Sequence, residues 1–391
     1  MRNSARREEA LPLRVVIHTG LYLEHDAISE SARRRMRYFD GRKDVRVRLF
    51  CHATDSADSR VRVVADLVSA LTDPDFVEAD LRIYEFGIHY PLFQTILLPS
   101  LSGARLVVYH NLTPPHLLAD ASARAAIEQG MIDRDALFVA DLVECIGAWS
   151  GHELQVLGLD LEVLAVNPLP STLPVLPRAP VYPPELLFIG RLVEAKGVLE
   201  LIEAVRMLVA DGLDLRLRVV GSSRMSLEPA VDAALTSAAE DGLPLELESA
   251  LTSDELASRL AVAAALVVPS HHEGYCVPVI EAFEASCPVI AYDNSNLPSV
   301  VGRLGVLVPT GDVAALASAM ASVVRLASTA GDAVLTAEGE VPFQQWDDER
   351  RLHLSGFSFR AWTDRFERNI ELALAQARQR RERPLQGMVP A

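Results

Sequence analysis

The chain has 391 residues, half of them hydrophobic, and a formal net charge of −16. This length predicts two or three domains with ample core, and the acidic balance argues against a nucleic-acid partner, whose phosphates it would repel. No apolar run approaches the roughly 20 residues of a membrane span, and the first ten residues lack the apolar stretch of a signal peptide. We therefore expect a cytoplasmic protein with reduced thiols at Cys51, Cys145, Cys276 and Cys287.

The first half of the chain alternates apolar strands with amphipathic helices, which is typical of a parallel-sheet α/β domain. The pattern predicts strands near 13–19, 45–50, 81–85 and 105–110. The motif G-x-G-x-x-G follows none of these strands, which argues against a dinucleotide-binding dehydrogenase.

Two strand-end loops of this half are candidate binding segments. The first reads HTGLYLEHDAISES and contains Gly20, Asp26 and Ser29, and the second, YEFGIHYP, contains Glu85 and His89. Strand-end loops serve both as turns and as sites, and the two interpretations are about equally good here.

Four arginines lie on the helix predicted after the first loop: Arg33, Arg34, Arg35 and Arg37. Such a cluster could bind a lipid phosphate or an anionic membrane surface. A solvated helix face is the more common explanation of a charge run. Peripheral membrane contact therefore stays open beside the solvated face.

A proline-rich stretch divides the chain in two. Residues 168–184 contain seven prolines, and such a segment is extended because proline disrupts a helix interior. We expect a first domain over 1–175 and a second over 183–355.

The second domain begins with the segment ELLFIGRLVEAKG at 185–197. An apolar strand ends at Gly190, and Arg191 follows at its carboxyl edge. Lys196 opens the next predicted helix. Arginine offers a fork for phosphate oxygens and lysine a point charge, so the two cations could neutralise a diphosphate without a metal.

A second cluster, EGYCVPVIE at 273–281, follows the apolar strand predicted at 265–270. A helix is expected near 277–286, with its N-terminus at the carboxyl end of the sheet, where α/β folds bind anions. Glu273 and Glu281 could then hold hydroxyls on either side of a bound diphosphate, as a nucleotide-sugar requires. Two ordinary surface glutamates are the alternative. The adjacent His271 and His272 lack a third ligand, so no metal site is predicted.

Together the two clusters resemble the retaining glycosyltransferases of family 4, the glycosyl transferases group 1, which carry a GR…KG loop and an E-x7-E element. The similarity covers nearly all of 183–325 and includes the segments RLRVVG, TSDEL, CPVIAYDNSNLPSVVG and GVLVPTGD. The resemblance implies the GT-B fold, an α/β architecture in which two Rossmann-like domains with parallel sheets face each other across a cleft.

The resemblance also implies roles for individual residues. Arg191 and Lys196 would bind the diphosphate, Glu281 the ribose, and Glu273 the transferred sugar. His110, in the segment RLVVYHNLTPP, would approach the reaction centre, although strand-end histidines are more often structural. The remaining donor-binding positions would be Gly190, Ser222, Ala250, Leu251, Gly274, Tyr275, Cys276 and Val277. The acceptor side would contain Gly20, Asp26, Ser29, Glu85 and His89.

The chain departs from the family pattern at several positions where a glycine is usual. Cys276 replaces the second glycine of the E-x7-E element, and Ser222 and Ser223 follow Gly221. Ser249 and Ala250 stand before the TSDEL segment, and Ser29 replaces a glycine in the first loop. These departures put the fine geometry of the substrate sites in doubt.

The last part of the chain is expected to contain one helix. Residues 326–350 look irregular, with solvated acidic segments AEGEV and WDDER. A helix is predicted near 358–380, and the resemblance implies that this region, 356–380, packs back on the first domain. The end, RQRRERPLQGMVPA, is interpreted as a frayed tail.

The implied activity is transfer of a hexose from a nucleotide diphosphate sugar to an acceptor hydroxyl, with retention of configuration and without metal or cofactor. The acceptor would be a carbohydrate or a lipid-linked compound. Two alternatives remain: a catalytically silent protein with the same fold, and a sugar-nucleotide 2-epimerase, which should lack the paired motifs. The sequence does not indicate the oligomeric state.

Overall fold

The computed structural model of the protein describes residues 11–24, 26–221, 227–329 and 332–382. They form two α/β domains, each built around a sheet in which all strands run parallel. No helix in these ranges is both long and apolar enough to cross a lipid bilayer.

The first domain has a seven-stranded sheet in the order β5-β3-β1-β6-β7-β8-β9. The strands of this domain, of which β2 and β4 form a separate pair, are β1 (Leu13–His18), β2 (Leu21–Tyr22), β3 (Val45–Cys51), β4 (Ala53–Thr54), β5 (Val61–Val63), β6 (Leu81–Phe86), β7 (Ala104–Tyr109), β8 (Leu142–Cys145) and β9 (Leu164–Val166). Its helices are α1 (Ala27–Tyr38), α2 (Leu67–Leu71), α3 (Pro74–Val77), α4 (Ala121–Asp133) and α5 (Ala148–Val156). The four strands expected from the sequence are confirmed.

The second domain has a six-stranded sheet in the order β12-β11-β10-β13-β14-β15. Its strands, with a separate hairpin, are β10 (Glu185–Ile189), β11 (Arg216–Val220), β12 (Leu245–Glu248), β13 (Ala265–Val268), β14 (Val289–Tyr292), β15 (Val306–Val308), β16 (Ala333–Thr336) and β17 (Gly339–Pro342). The helices of this half are α6 (Val198–Ala210), α7 (Pro229–Glu240), α8 (Ser253–Val262), α9 (Val277–Glu284), α10 (Leu297–Val301), α11 (Val313–Ser328), α12 (Phe343–Ser355) and α13 (Phe359–Glu382).

The central strands are buried along their whole length. Every residue of β6, β7, β13 and β14 is inaccessible or nearly so. Helices that cover both faces of a parallel sheet produce this pattern, which explains why these strands read as continuous apolar runs. Ligand-binding side chains are therefore left to the loops at the strand ends.

The last helix, α13, leaves the second domain and packs on the first, as the resemblance implied. Asn369 Nδ2 donates to Glu144 Oε2 of β8 at 2.6 Å. Near the end of the helix, Arg380 Nε lies 2.8 Å from Asp141 Oδ1. Residues 378–382 are therefore helical, contrary to the expected frayed tail, and 383–391 lie outside the described residues.

The expectation of an irregular segment over 326–350 is wrong. The end of α11, the hairpin β16–β17 and the first half of α12 occupy it. The WDDER segment is only partly solvated, because Trp346, Asp347 and Arg350 are buried. Trp346 Nε1 donates to the carbonyl of Leu304 at 2.8 Å, which anchors α12 to the second sheet.

The neighbouring aspartates of α12 provide a stability test of this correction. Asp347 Oδ1 accepts from Arg350 Nε at 2.9 Å, and both side chains are buried. Asp347→Ala would leave the buried charge of Arg350 without its carboxylate partner. Breaking a buried pair in this way lowers the free energy of unfolding by about 3–5 kcal/mol. The exposed neighbour Asp348 is the control, and Asp348→Ala should change that free energy by less than about 0.5 kcal/mol. Urea denaturation measures both, and equal losses would contradict the structural assignment.

Candidate active site

The loop between β10 and α6 carries both predicted cations. Arg191 is exposed and makes no ion pair with any residue that the structure describes. Lys196 ends a short 3-10 turn and is half-buried. Gly197 follows with φ +69°, and a Cβ there would lie 1.9 Å from the carbonyl oxygen of Pro269. Only glycine allows this approach, which brings the loop against the end of β13.

The approach joins the two predicted motifs. Lys196 Nζ lies 2.6 Å from Glu273 Oε1, and both side chains are largely withdrawn from solvent. The backbone N–H of Glu273 donates to Ser295 Oγ at 2.9 Å, which holds the Glu273 backbone in place. The GR…KG and E-x7-E elements, 77 residues apart at this contact, thus form one charged cluster.

Gly274 marks the point where the two domains meet. A Cβ at this position would lie 2.6 Å from the carbonyl oxygen of His110, at the end of β7. A real Cβ does not come this close to a backbone oxygen, so a larger residue would push the domains apart. The predicted sites of the two domains consequently share one cleft.

Helix α9 begins directly after this contact, with Val277 as its first residue. Pro278 has no N–H and the Val279 N–H donates to the Cys276 carbonyl at 3.2 Å, which leaves the Val277 N–H to face an anion at this end of the helix. Cys276, at the cap, has φ 74° and ψ 69°, a left-handed conformation that favours glycine. The usual family glycine would adopt this conformation without strain. Cys276 keeps the left-handed turn but strains the backbone. Tyr275 points away from the cleft, because its hydroxyl donates to the Leu169 carbonyl at 2.7 Å.

Glu281 lies on α9, as predicted, and is poorly solvated. Burial and, to a smaller extent, the nearby Glu284 raise the pKa of its carboxyl to about 7, against the opposing positive charge of Arg34. A carboxyl in this setting exchanges its proton near neutral pH.

The other donor-side positions line the edge of the second sheet. Gly190 ends β10 and is partly buried, while Ala250 and Leu251 follow β12 in the loop before α8. Ala250 has φ 57°, so the glycine common in the family at this loop would again relieve a left-handed residue. Ser222 lies outside the described residues.

His110 faces the cleft from the first domain and is paired with a carboxylate. Its Nε2 lies 2.5 Å from Glu85 Oε2, and the Glu85 side chain has no solvent exposure. Glu85 was predicted on the acceptor side, and it does border a pocket there. Both of its oxygens nevertheless face protein groups, since Arg35 Nη1 lies 3.2 Å from Oε1.

Two further contacts across the cleft were missed in the sequence. His272 Nε2 lies 2.7 Å from Asn111 Oδ1, and burial lowers the pKa of His272 to about 4, so its ring is neutral. Asn296 Oδ1 accepts from the backbone N–H of Trp149 at 3.3 Å. Asn111 lies within the segment RLVVYHNLTPP and Asn296 within CPVIAYDNSNLPSVVG, but no role was predicted for either side chain.

Four of the five predicted acceptor-side residues border one pocket of about 250 Å³ in the first domain. These are Gly20, Asp26, Glu85 and His89, and apolar side chains including Ile28 and Ile88 complete it. Ser29 is the exception. It is fully buried, and its hydroxyl contacts the Leu21 carbonyl at 3.1 Å and Asp26 Oδ2 at 2.6 Å. Ser29 therefore braces the first turn of α1 and does not face an acceptor.

The four arginines of α1 do not form the exposed basic patch that their sequence suggested. Arg34 and Arg35 are buried, and carboxylates of β6 and β8 and aromatic rings of α13 surround the Arg35 side chain. Arg33 pairs with Glu30 at 2.6 Å, and Arg37 alone of the four is exposed. The arginine run therefore offers no continuous face to a membrane.

The two adjacent histidines turn in different directions, as their spacing predicted. His271 Nε2 lies 2.6 Å from Glu200 Oε1, whereas His272 contacts the other domain. Among the residues that the structure describes, no group of three or more histidine, cysteine, aspartate or glutamate side chains could hold a metal ion.

The fold and the charged cleft define a GT-B glycosyltransferase, and the comparisons agree. Residues 183–325, most of the second domain, match the family model described as glycosyl transferases group 1. Together with the glycosyltransferase relatives, this match supports a transferase.

Similar proteins include the putative colanic acid biosynthesis glycosyltransferase WcaL of Salmonella typhimurium. It is 27% identical over 312 residues, which are 75% of this chain and 72% of that protein. Sucrose-phosphate synthase from Thermosynechococcus elongatus has the same fold, with a TM-score of 0.65, 18% identity and coverage of 95% and 98% of the two chains. Anabaena HepE in complex with UDP and glucose gives a TM-score of 0.59, 14% identity and coverage of 88% and 99%.

The left-handed alanine of the β12–α8 loop predicts a stabilising substitution. Ala250 is exposed, so Ala250→Gly loses no buried contact and relieves its backbone. We expect the free energy of unfolding to rise by about 0.5–1 kcal/mol. The neighbour Ser249 is exposed and not left-handed, so Ser249→Gly should lower it by about as much. Thermal and urea unfolding compare the two, and stabilisation by both variants would contradict the argument.

The raised pKa of Glu281 predicts a pH dependence of stability. The folded carboxyl keeps its proton up to about pH 7, whereas the unfolded chain releases it near 4.5. The folded state binds the extra proton in this window, so stability falls as pH rises through it. Glu281→Gln should remove that fall, and the stability difference from wild type should grow with pH up to about 7. Urea unfolding across the window tests this, with Glu240→Gln, at an exposed site, expected to follow wild type throughout.

Proposed function

We propose that the protein is a retaining glycosyltransferase that moves a hexose from a nucleotide diphosphate sugar to an acceptor hydroxyl without a metal ion. The observation that carries the proposal is the cluster of Lys196, Glu273 and Gly274 against the backbone of His110. A half-buried cation, a carboxylate and a helix N-terminus thus lie together at the cleft.

The arrangement suits a diphosphate bound at the start of α9. Lys196 and the Val277 N–H at the start of α9 would face its oxygens, and the exposed Arg191 would close over them. Developing negative charge on the leaving diphosphate is the main demand of the reaction, and preorganised donors meet it best. Glu281, further along α9, would accept from the ribose hydroxyls.

Lys196 Nζ is paired with Glu273 Oε1 at 2.6 Å. An arriving diphosphate would compete for the lysine and leave Glu273 to accept hydrogen bonds from hydroxyls of the transferred sugar. The ion pair thus keeps both side chains in place before the substrate binds, which lowers the cost of ordering them.

The acceptor would enter from the first domain. The pocket bordered by Gly20, Asp26 and His89 adjoins the Glu85–His110 pair and, at about 250 Å³, is smaller than pockets for drug-sized ligands, so it suits one sugar ring. The named role of WcaL in colanic acid biosynthesis supports a carbohydrate or lipid-linked acceptor in polysaccharide biosynthesis for this protein too. With retention, the departing phosphate would accept the proton of the attacking hydroxyl on the same face.

A thermal-shift panel of UDP-, GDP-, ADP- and dTDP-sugars, in buffer with EDTA, tests the donor class. A ligand that binds the folded state raises its melting temperature, so one nucleotide series should stand out. The matching donor is then assayed for transfer, and NMR of the product reads the anomeric configuration. Stabilisation only after addition of manganese or magnesium would contradict metal independence, and an inverted product would contradict retention.

Replacement of the buried cation should damage catalysis specifically. Lys196→Ala is expected to raise the barrier to transfer by about 2–4 kcal/mol, a typical loss for one charge-stabilising donor. Arg191→Ala should act in the same direction. Lys43, exposed on the first domain, is the matched control, and Lys43→Ala should transfer at the wild-type rate. Steady-state kinetics measure all three, and near-normal turnover in Lys196→Ala would overturn the assignment.

A further inference from the structure

A row of polar side chains runs through the interior of the first domain from α13 to the cleft. It consists of Asn369 on α13, Glu144 on β8, Arg35 on α1, Glu85 on β6 and His110 after β7. The side chains of Arg35, Glu85 and Glu144 have no solvent exposure, and that of His110 is 5% exposed. The members come from five separate elements, so only the folded domain assembles the row.

Each member contacts the next. Asn369 Nδ2 donates to Glu144 Oε2 at 2.6 Å, and the other oxygen of Glu144 accepts from Arg35 Nη2. Arg35 Nη1 lies 3.2 Å from Glu85 Oε1. Glu85 Oε2 lies 2.5 Å from His110 Nε2, which ends the row at the cleft.

The last contact determines which ring nitrogen of a neutral His110 carries the proton. A carboxylate only accepts, so the proton lies on Nε2 and Nδ1 is left as an acceptor. Nδ1 is not among the buried, unpartnered ring atoms of the described residues, and the His110 backbone contacts Gly274. The free acceptor therefore lies at the cleft, beside the proposed donor sugar.

We propose that Glu85 is a positioning residue that holds His110 with Nδ1 directed at a hydroxyl of the transferred sugar, and that Arg35, Glu144 and Asn369 hold Glu85. The assignment of that hydroxyl rests on the proposed function, whereas the proton position on His110 does not. Buried charges are costly to keep, and a well-packed apolar set would often be at least as stable. A role in the site accounts for a row that packing alone does not require.

The row also links the last helix to the cleft. Arg35 lies under two rings of α13, with its guanidinium carbon 5.1 Å from the centre of Phe366 and 5.7 Å from that of Trp362. Asn369 of the same helix donates a hydrogen bond to the second carboxylate oxygen of Glu144. The return of α13 to the first domain thus closes the row at the end opposite to His110.

Glu85→Gln provides the decisive test, because the two ends of an amide differ. Arg35 offers only donors, so it takes the amide oxygen, and the NH₂ group turns to His110 Nε2. That nitrogen must then accept, and the ring proton moves to Nδ1. Nitrogen-15 NMR of the full-length protein, with the His110 signals assigned by their loss in His110→Gln, should show the proton on Nε2 in wild type and on Nδ1 in Glu85→Gln.

Kinetics test the consequence. Glu85→Gln should lower kcat by roughly 10–100-fold, as for residues that orient metal-binding histidines, and leave KM for the donor nearly unchanged. Asn369→Ala and Arg380→Ala form a comparison pair, since each removes side-chain contacts of α13 with the first domain: one hydrogen bond of Asn369 and three of Arg380. Only the first belongs to the row, so Asn369→Ala should lower kcat and Arg380→Ala should not.

An unchanged proton position in Glu85→Gln would overturn the proposal, and so would equal kcat losses in the α13 pair. A moved proton in a protein that binds no nucleotide-sugar would confirm the positioning and refute the proposed function. Where Glu85→Gln does not fold, Glu85→Asp keeps the charge for Arg35 but withdraws from His110, and the ring should then show both proton positions.

Discussion

The missing side chain at Gly274 is the constraint on which the cleft depends. A Cβ at this residue would fall 2.6 Å from the His110 carbonyl oxygen, so only glycine lets the ends of β7 and β13 meet. Each sheet alone presents an ordinary row of strand-end loops. Their contact sets the Lys196–Glu273 pair of one domain against the His110–Glu85 pair of the other, and the combination is what a transfer reaction between two bound substrates needs.

Charge is distributed unevenly over this acidic chain. Most of the carboxylates stay in water, whereas those at the site are each matched to a donor: Glu273 to Lys196, and Glu85 to Arg35 and His110. Glu281 is the exception, and burial together with Glu284 raises its pKa. The ion pairs hold these side chains in fixed positions, so little reorganisation is needed when charge develops in the transition state.

Backbone conformation explains the departures of this chain from its family. Cys276 and Ala250 have left-handed backbone conformations, and the family usually has a glycine at the first position and in the loop of the second. In this chain both loops contain a strained residue instead. A lost glycine therefore need not mean a lost function.

Local pattern in the sequence determined the strands, the proline linker and the two charged motifs, while the return of the last helix was implied by the family resemblance. These features depend on residues close together in the chain or on motifs with few structural solutions. Tertiary structure alone decided which of the arginines on α1 were buried, because Arg35 finds its carboxylates on β6 and β8, 50 and 109 residues away. The same holds for Trp346 and Asp347, which look solvated by composition and are covered by distant packing. The sequence pattern shows which residues are polar, but it does not show whether a charged side chain will meet a partner from a distant segment. Burial of a charge depends on such a partner.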